Sequence, residues 1–199
     1  MFYFPLRGDA VADVRRSLNE LDEQTVLFLK NLEELDIVTD DVTTTWAVER
    51  RESSLTSANS AVDLVQIRQT DGQVSETTYL RFNRDEIPIG EHTAGISNNT
   101  WGDVSETQVS VAVRAERGDD GLHLQPVGGE PRAHVFLPTE ERSPVPLLIN
   151  GAFDSNLSRT AIDVTDREHD YNRFLIREAA NIVGTDIADV ARETATTAP

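Results

Sequence analysis

Gln108-Val109-Ser110-Val111-Ala112-Val113-Arg114-Ala115 is the stretch that decides the fold. Val109, Val111 and Val113 face one way; Gln108, Ser110, Arg114 and the small Ala112 face the other. Alternation of branched apolar residues with period two predicts a β-strand with one buried face. Upstream, Thr43–Arg50, Val62–Arg68 and Glu76–Phe82 carry related patterns, the last with Thr78, Leu80 and Phe82 on one side. Asp71-Gly72 supplies a turn between two of them. Together these segments predict an antiparallel meander.

Residues 84–104 read as a loop, because Pro88, Gly90, Gly95, Gly102 and an Asn98-Asn99 pair fall within it; Trp101 is its candidate anchor. Downstream, Asp119-Asp120-Gly121 predicts a turn. Residues 132–137 predict a strand that stops at Pro138. Leu147-Leu148-Ile149 leads into Asn150-Gly151, a turn-forming pair.

Helical spacing occurs at both ends. Val11, Val14, Leu18 and Leu21 predict a helix over 10–21 with one buried face. Asp22 is placed to cap a second helix, in which Phe28, Leu32 and Leu35 form a stripe. A last long helix starts at or near Asp170 and buries Tyr171, Leu175, the stem of Glu178 and Ile182, with Phe174 and Ala179 beside them. Gly184 is expected to end it, and Thr185 to cap a short final helix. The reading is an α+β fold: a mixed, largely antiparallel sheet with two N-terminal helices and a C-terminal helix packed on it. A boundary near residues 38–42 and a single mixed domain both fit. Residues 193–199 are expected to fray. Phe2-Tyr3-Phe4-Pro5-Leu6 is strand-like from the first residues. It either joins the following sheet or ends a preceding domain.

The chain has 35 acidic and 18 basic side chains, a formal charge of -17, and Lys30 as its one lysine. Such a surface repels polyanions and excludes a general nucleic-acid interface. It suits a high-salt cytoplasm, where salt screens self-repulsion and carboxylates stay hydrated. Without cysteine there are no disulfides or thiolate metal sites. No signal peptide is expected at the N-terminus, and no segment is long and apolar enough to cross a bilayer.

The candidate chemistry is sparse. His92, His123, His134 and His169 show no helical spacing to one another; His123 and His134 fall on candidate adjoining strands but imply no third ligand. Asp163 and Asp166 form a weak cation pair, against the plainer reading of a solvated face. No nucleophile is paired with a base. Gly128-Gly129 lacks the lysine and hydroxyl of a phosphate loop. Arg159, between Ser158 and Thr160, is the most informative cation: its guanidinium suits either a structural salt bridge or a phosphate contact.

Six blocks occur in order: Phe2–Arg7, Leu27–Leu32, His134–Thr139, Leu148–Phe153, Leu157-Ser158-Arg159 and Tyr171–Leu175. Together they resemble the region after the ATP-binding module in sacsin-type proteins, relatives of the ninety-kilodalton heat-shock chaperones, with archaeal members nearest. The resemblance implies that residues 1–8 are the terminal strand of a nucleotide-binding domain and that 9–192 form a transducer, or middle-like, domain. Family nucleotide domains carry a glutamate and an asparagine on an early helix and then an aspartate-containing glycine motif; this sequence has neither. The chain is therefore expected to bind no cofactor alone, with ATP and magnesium held by a partner nucleotide-binding module and a client protein as a further partner. By the same resemblance Arg159 reaches the terminal phosphate in a pocket supplied by another domain or chain. Asn150 and Gly151 then shape the approach, and Asn172 ties the final helix to it. The rival reading is a protein-interaction or scaffold domain with no ATPase coupling.

Overall fold

In a computed structural model, the structure describes residues 7–8, 10–39, 42–93, 104–119, 121–156, 161–162, 164 and 170–196. The chain is α+β, built on a nine-stranded mixed sheet that is antiparallel at all but one pairing. The strands are β1 (Glu34–Val38), β2 (Thr43–Glu52), β3 (Ala61–Thr70), β4 (Val74–Pro88), β5 (Glu106–Gly118), β6 (Gly121–Gln125), β7 (Arg132–Val135), β8 (Leu137–Arg142) and β9 (Leu148–Gly151). Their order is β1-β2-β3-β4-β5-β9-β7-β8, with β6 added to β5 beyond the end of β9. Strands β2–β4 are the meander read from the alternating segments, and β1 extends it on the far side of β2. The parallel pair is β7 with β9, where Ala133 faces Ile149 and His134 faces Asn150.

The alternation in β5 divides the core into two clusters, one on each face of the sheet. Val109, Val111, Val113 and Ala115 join Leu80, Phe82, Ile149 and Phe153 under the C-terminal helices. Ala112 and Leu148 join Val65, Ile67 and Tyr79 under residues 26–28. Leu80 and Leu175 are fully buried, and each such side chain contributes about 1.5–3 kcal/mol of transfer free energy.

The N-terminal helices are α1 (Ala10–Asn19) and the single turn α2 (Gln24–Leu27). The N-cap of α2 is Glu23 rather than Asp22, although Asp22 Oδ1 accepts the Gln24 N–H at 3.0 Å. Two further expectations are corrected. First, α1 buries none of its residues, and Val11 and Val14 stay exposed. Second, the stripe from Phe28 to Leu35 does not continue as helix. Arg50 draws the carbonyls of Val26, Leu29 and Leu32 to its guanidinium at 3.1, 2.8 and 2.6 Å, and Leu35 enters β1. A charged donor to three carbonyls outweighs helical period here.

At the other end, α3 (Asp170–Asn181) buries Tyr171, Leu175 and Ala179, followed by Ile182, as its periodicity predicts. Gly184 does not end the helix. It lies inside a π-helical turn, Ile182–Ile187, which runs on into α4 (Ala188–Thr196). The continuation is held by Thr185, whose hydroxyl donates to the Asn181 carbonyl at 2.6 Å, and by the anchored carboxylate of Asp186, described below.

Three further boundaries differ from expectation. The strand at 132–137 turns at Phe136, which has φ 63°, and Pro138 lies within β8. Proline is tolerated there because β8 is an edge strand. Asn150-Gly151 is no turn; both residues lie in β9, buried between β5 and β7. The segment read as a loop from residue 84 instead continues β4 to Pro88 through a bulge between Arg84 and Ile87, then forms a 3-10 turn at Gly90–Thr93. Trp101, the strand-like residues 2–6, His169, Asp163 and Asp166 lie outside the described residues.

Candidate functional site

Of the predicted site residues, Asn150 and Gly151 lie at the end of β9, and Arg159 lies outside the described residues. Asn150 is 3% exposed, and its Oδ1 accepts the Phe136 N–H at 2.9 Å. Its side chain thus braces the left-handed residue at the β7–β8 turn, a conformation that costs a non-glycine residue roughly 1–2 kcal/mol. Gly151 has a packing reason. A Cβ there would stand 3.1 Å from Phe153 Cε2 and 3.5 Å from Leu175 Cδ1.

Beyond Gly151 the chain is held at successive residues. Asn172, fully buried in the first turn of α3, accepts the Asp154 N–H on Oδ1 at 2.8 Å. It also donates from Nδ2 to the Asp154 carbonyl at 2.7 Å. Ser155 forms a β-bridge with Ile162. Asn156 N–H donates to the Ala161 carbonyl at 3.4 Å, and Asn156 Oδ1 lies 3.5 Å from the Ala161 nitrogen. Both flanks of positions 157–160 are therefore fixed to each other and to α3. Tyr171 adds a link to β5, its hydroxyl 3.0 Å from Thr107 Oγ1.

The same turn of α3 carries a pair that the sequence did not reveal. His92 Nδ1 lies 2.7 Å from Asp170 Oδ2, and the His92 ring stacks on Phe174 with centroids 4.2 Å apart. Arg177 donates to Asp170 Oδ1 at 2.9 Å. The hydrogen bond from His92, with the cations around it, holds the Asp170 carboxyl below its ordinary range. The carboxylate on Nδ1 and the stacked Phe174 ring orient the imidazole.

The other histidines give no metal site. His123 is in β6 and His134 in β7, strands that do not pair with each other. Among the described residues no group of three or more His, Asp or Glu side chains is placed to hold a metal ion. His134 is fully buried, edge-on to Phe28 at 4.9 Å between centroids, with Nδ1–H donating to the Arg132 carbonyl at 3.0 Å. Burial pushes its pKa down to about 4.

Gly128 and Gly129 border a cleft of about 640 Å³ whose lining includes Glu20, Asp22, Glu23 and Glu130 against the single cation Arg132. Burial and the neighbouring Glu23 raise the Asp22 pKa, so the cleft already crowds negative charge. It does not fit a nucleotide triphosphate. A cleft of about 730 Å³ beside α4 mixes Arg51 and Arg117 with Glu52, Asp119 and Glu193, and it has no net excess of cations.

Two buried polar networks were invisible in the sequence. Asp186, 1% exposed, accepts from Ser60 at 2.5 Å and from Arg84 at 2.8 Å; Arg84 also reaches Glu178 at 3.3 Å. Across the other face of the sheet, Arg81 and Asn83 donate to Asp63 at 2.7 and 2.8 Å, and Ser110 donates to Asn83 at 2.8 Å. The available signal was an aspartate, an arginine and an asparagine at inward positions of otherwise apolar strands. Every carboxylate in the two networks accepts from a neighbouring side chain, which marks them as structural, while Arg81 Nε is buried with no partner among the described residues.

Among the described residues no helix is long and apolar enough to cross a membrane. No family model, curated protein or solved structure matches the chain.

Proposed function

We propose that this chain is the transducing segment of a chaperone-like ATPase, which couples the nucleotide state of a neighbouring module to conformational change. ATP and magnesium belong to that module. This chain contributes Arg159, whose charge offsets the charge developing on the transferred phosphoryl group. The client and the nucleotide-binding module are its partners.

The observation that supports the reading is the set of contacts on the described residues flanking positions 157–160. Asp154, Ser155, Asn156, Ala161 and Ile162 are tied to one another or to Asn172. A cation that acts on another module's ligand must be carried on a rigid frame, because a misplacement of about 1 Å costs on the order of a hundred-fold in rate. The ordered sequence blocks support the same reading.

The rival scaffold reading has no need of Arg159. A nucleotide titration of the purified 199-residue chain tests the division of labour. The chain alone is expected neither to bind ATP in the micromolar range nor to turn it over. Micromolar binding with turnover by the chain alone would sink the proposal.

A further inference from the structure

We propose that the outer edge of β1 is a docking strand that takes an extended, lysine- or arginine-bearing segment of another protein as an added strand of the sheet. The surface shares no residue with β9 or Arg159 and stands apart from the transducer reading.

The pairing of β1 with β2 decides which backbone groups face outward. The Glu33 carbonyl accepts the Val48 N–H at 2.7 Å, and the Thr39 N–H donates to the Val42 carbonyl at 2.9 Å. Bonded and non-bonded pairs alternate along an antiparallel ladder. With Glu34 opposite Ala47 and Asp36 opposite Thr45, the N–H and C=O of Leu35 and Ile37 turn towards β2. Those of Glu34, Asp36 and Val38 turn away from it, and among the described residues no strand pairs with them. The strand is five residues long, in unbroken register and without proline. The opposite edge of the sheet differs. There β8 carries Pro138 and follows the left-handed Phe136, features that blunt an edge against pairing.

Side chains select the occupant. Leu35 and Ile37 are half-buried against the cluster that holds Trp46. Beside Ile37 lies a groove of about 440 Å³ whose apolar lining is Leu18, Leu21, Ile37, Val42 and Trp46. On the other face Glu34, Asp36 and Val38 are exposed, Val38 at 72%. The Asp36 carboxylate is held by a neutral donor, the Thr45 hydroxyl at 2.6 Å, which leaves its charge in place. An added strand therefore sets one row of side chains on an apolar face and the next on an acidic one. A second copy suits this edge poorly. Pairing β1 with itself about Asp36 puts two carboxylates directly opposite, which destabilises a ladder, and each copy brings a formal charge of -17. The charge that repels a copy attracts a basic strand.

The test is calorimetric titration of the full chain with a capped seven-residue peptide of alternating lysine and valine, joined to hydrogen exchange of the β1 amides. In antiparallel docking the lysines lie opposite Glu34 and Asp36 and turn their own N–H groups to β1. N-methylation of the lysine nitrogens is expected to raise Kd about ten-fold or more, and N-methylation of the valine nitrogens to leave it within about two-fold. A peptide with glutamate for lysine should not bind. Val38→Pro removes an outward N–H without changing charge, so it should weaken binding about ten-fold with little change in thermal midpoint, as proline is tolerated on an edge. If Val38→Pro does not melt cooperatively, the methylated peptides decide on the wild-type chain. In the chain without peptide, the Asp36 and Val38 amides should exchange faster than those of Leu35 and Ile37, and peptide should slow them. The proposal is overturned if the peptide does not bind, or if the two methylations have equal effect, which would leave charge attraction alone. Slow exchange at Asp36 and Val38 without peptide also overturns it: at every concentration, the chain covers its own edge; only at high concentration, a second copy does.

Discussion

Arg84 on β4 donates to Asp186 in the π-helical turn at 2.8 Å, and this ion pair ties the C-terminal helices to the centre of the meander. Asp186 is 1% exposed and also accepts from Ser60 and Asn59, on the segment that joins β2 to β3. Removing Asp186 takes the acceptor of Ser60 and Asn59 and leaves Arg84 with Glu178, at 3.3 Å, as its counter-charge. Asp186→Ala is therefore expected to cost about 1–3 kcal/mol, read as a lower urea midpoint. A midpoint within error of wild type would contradict it.

The same carboxylate predicts an acid limb. Burial alone would raise its pKa; the hydrogen bonds from Ser60 and Arg84, with those from Ser57 and Asn59, outweigh burial and hold it down at about 2, against an ordinary 3.8. A group depressed by folding contributes stability above its unfolded pKa and loses it as pH falls through the folded value. That contribution is about 2 kcal/mol, lost between about pH 4 and pH 2. Asp186→Asn should flatten this limb in urea titrations at stepped pH.

His134 titrates in a higher window. Burial lowers its pKa from 6.5 to about 4, so the folded state holds it neutral. Its contribution is complete above about pH 6.5 and fades as pH falls towards 4, a loss of about 3 kcal/mol. His134→Gln, which cannot take up the proton, should abolish the slope between those values while leaving the lower limb in place. An unchanged slope would assign that loss to other groups.

Gly151 faces a ring. A Cβ there stands 3.1 Å from Phe153 Cε2, so Gly151→Ala is expected to destabilise by about 1–3 kcal/mol through overpacking. A neutral or higher thermal midpoint would show that Phe153 yields freely.

These predictions also mark what the sequence reveals and what it hides. Branched residues at period two made β5 and the meander legible, since only one face of each strand meets each core cluster. The apolar face of α3 was legible for the same reason at helical period. The strand β9 was hidden because Asn150-Gly151 has turn chemistry locally, and only the positions of Phe136 and Phe153 explain those residue types. Helix α2 ended early because Arg50, more than 17 residues downstream of each carbonyl it meets, captures them. The Ser60–Asp186 contact spans 126 positions, beyond any spacing rule. At the candidate site, neither the Asn172–Asp154 tie, 18 positions apart, nor the His92–Asp170 pair, 78 positions apart, follows from local spacing.

The most direct measurement of the central claim is ATP turnover by the partner nucleotide-binding module alone, with this chain, and with its Arg159→Ala variant. The transducer account predicts that the chain raises turnover and that the variant loses about ten-fold or more of the assembled rate, as loss of a transition-state contact does. Equal turnover with chain and variant would contradict it and leave a scaffold.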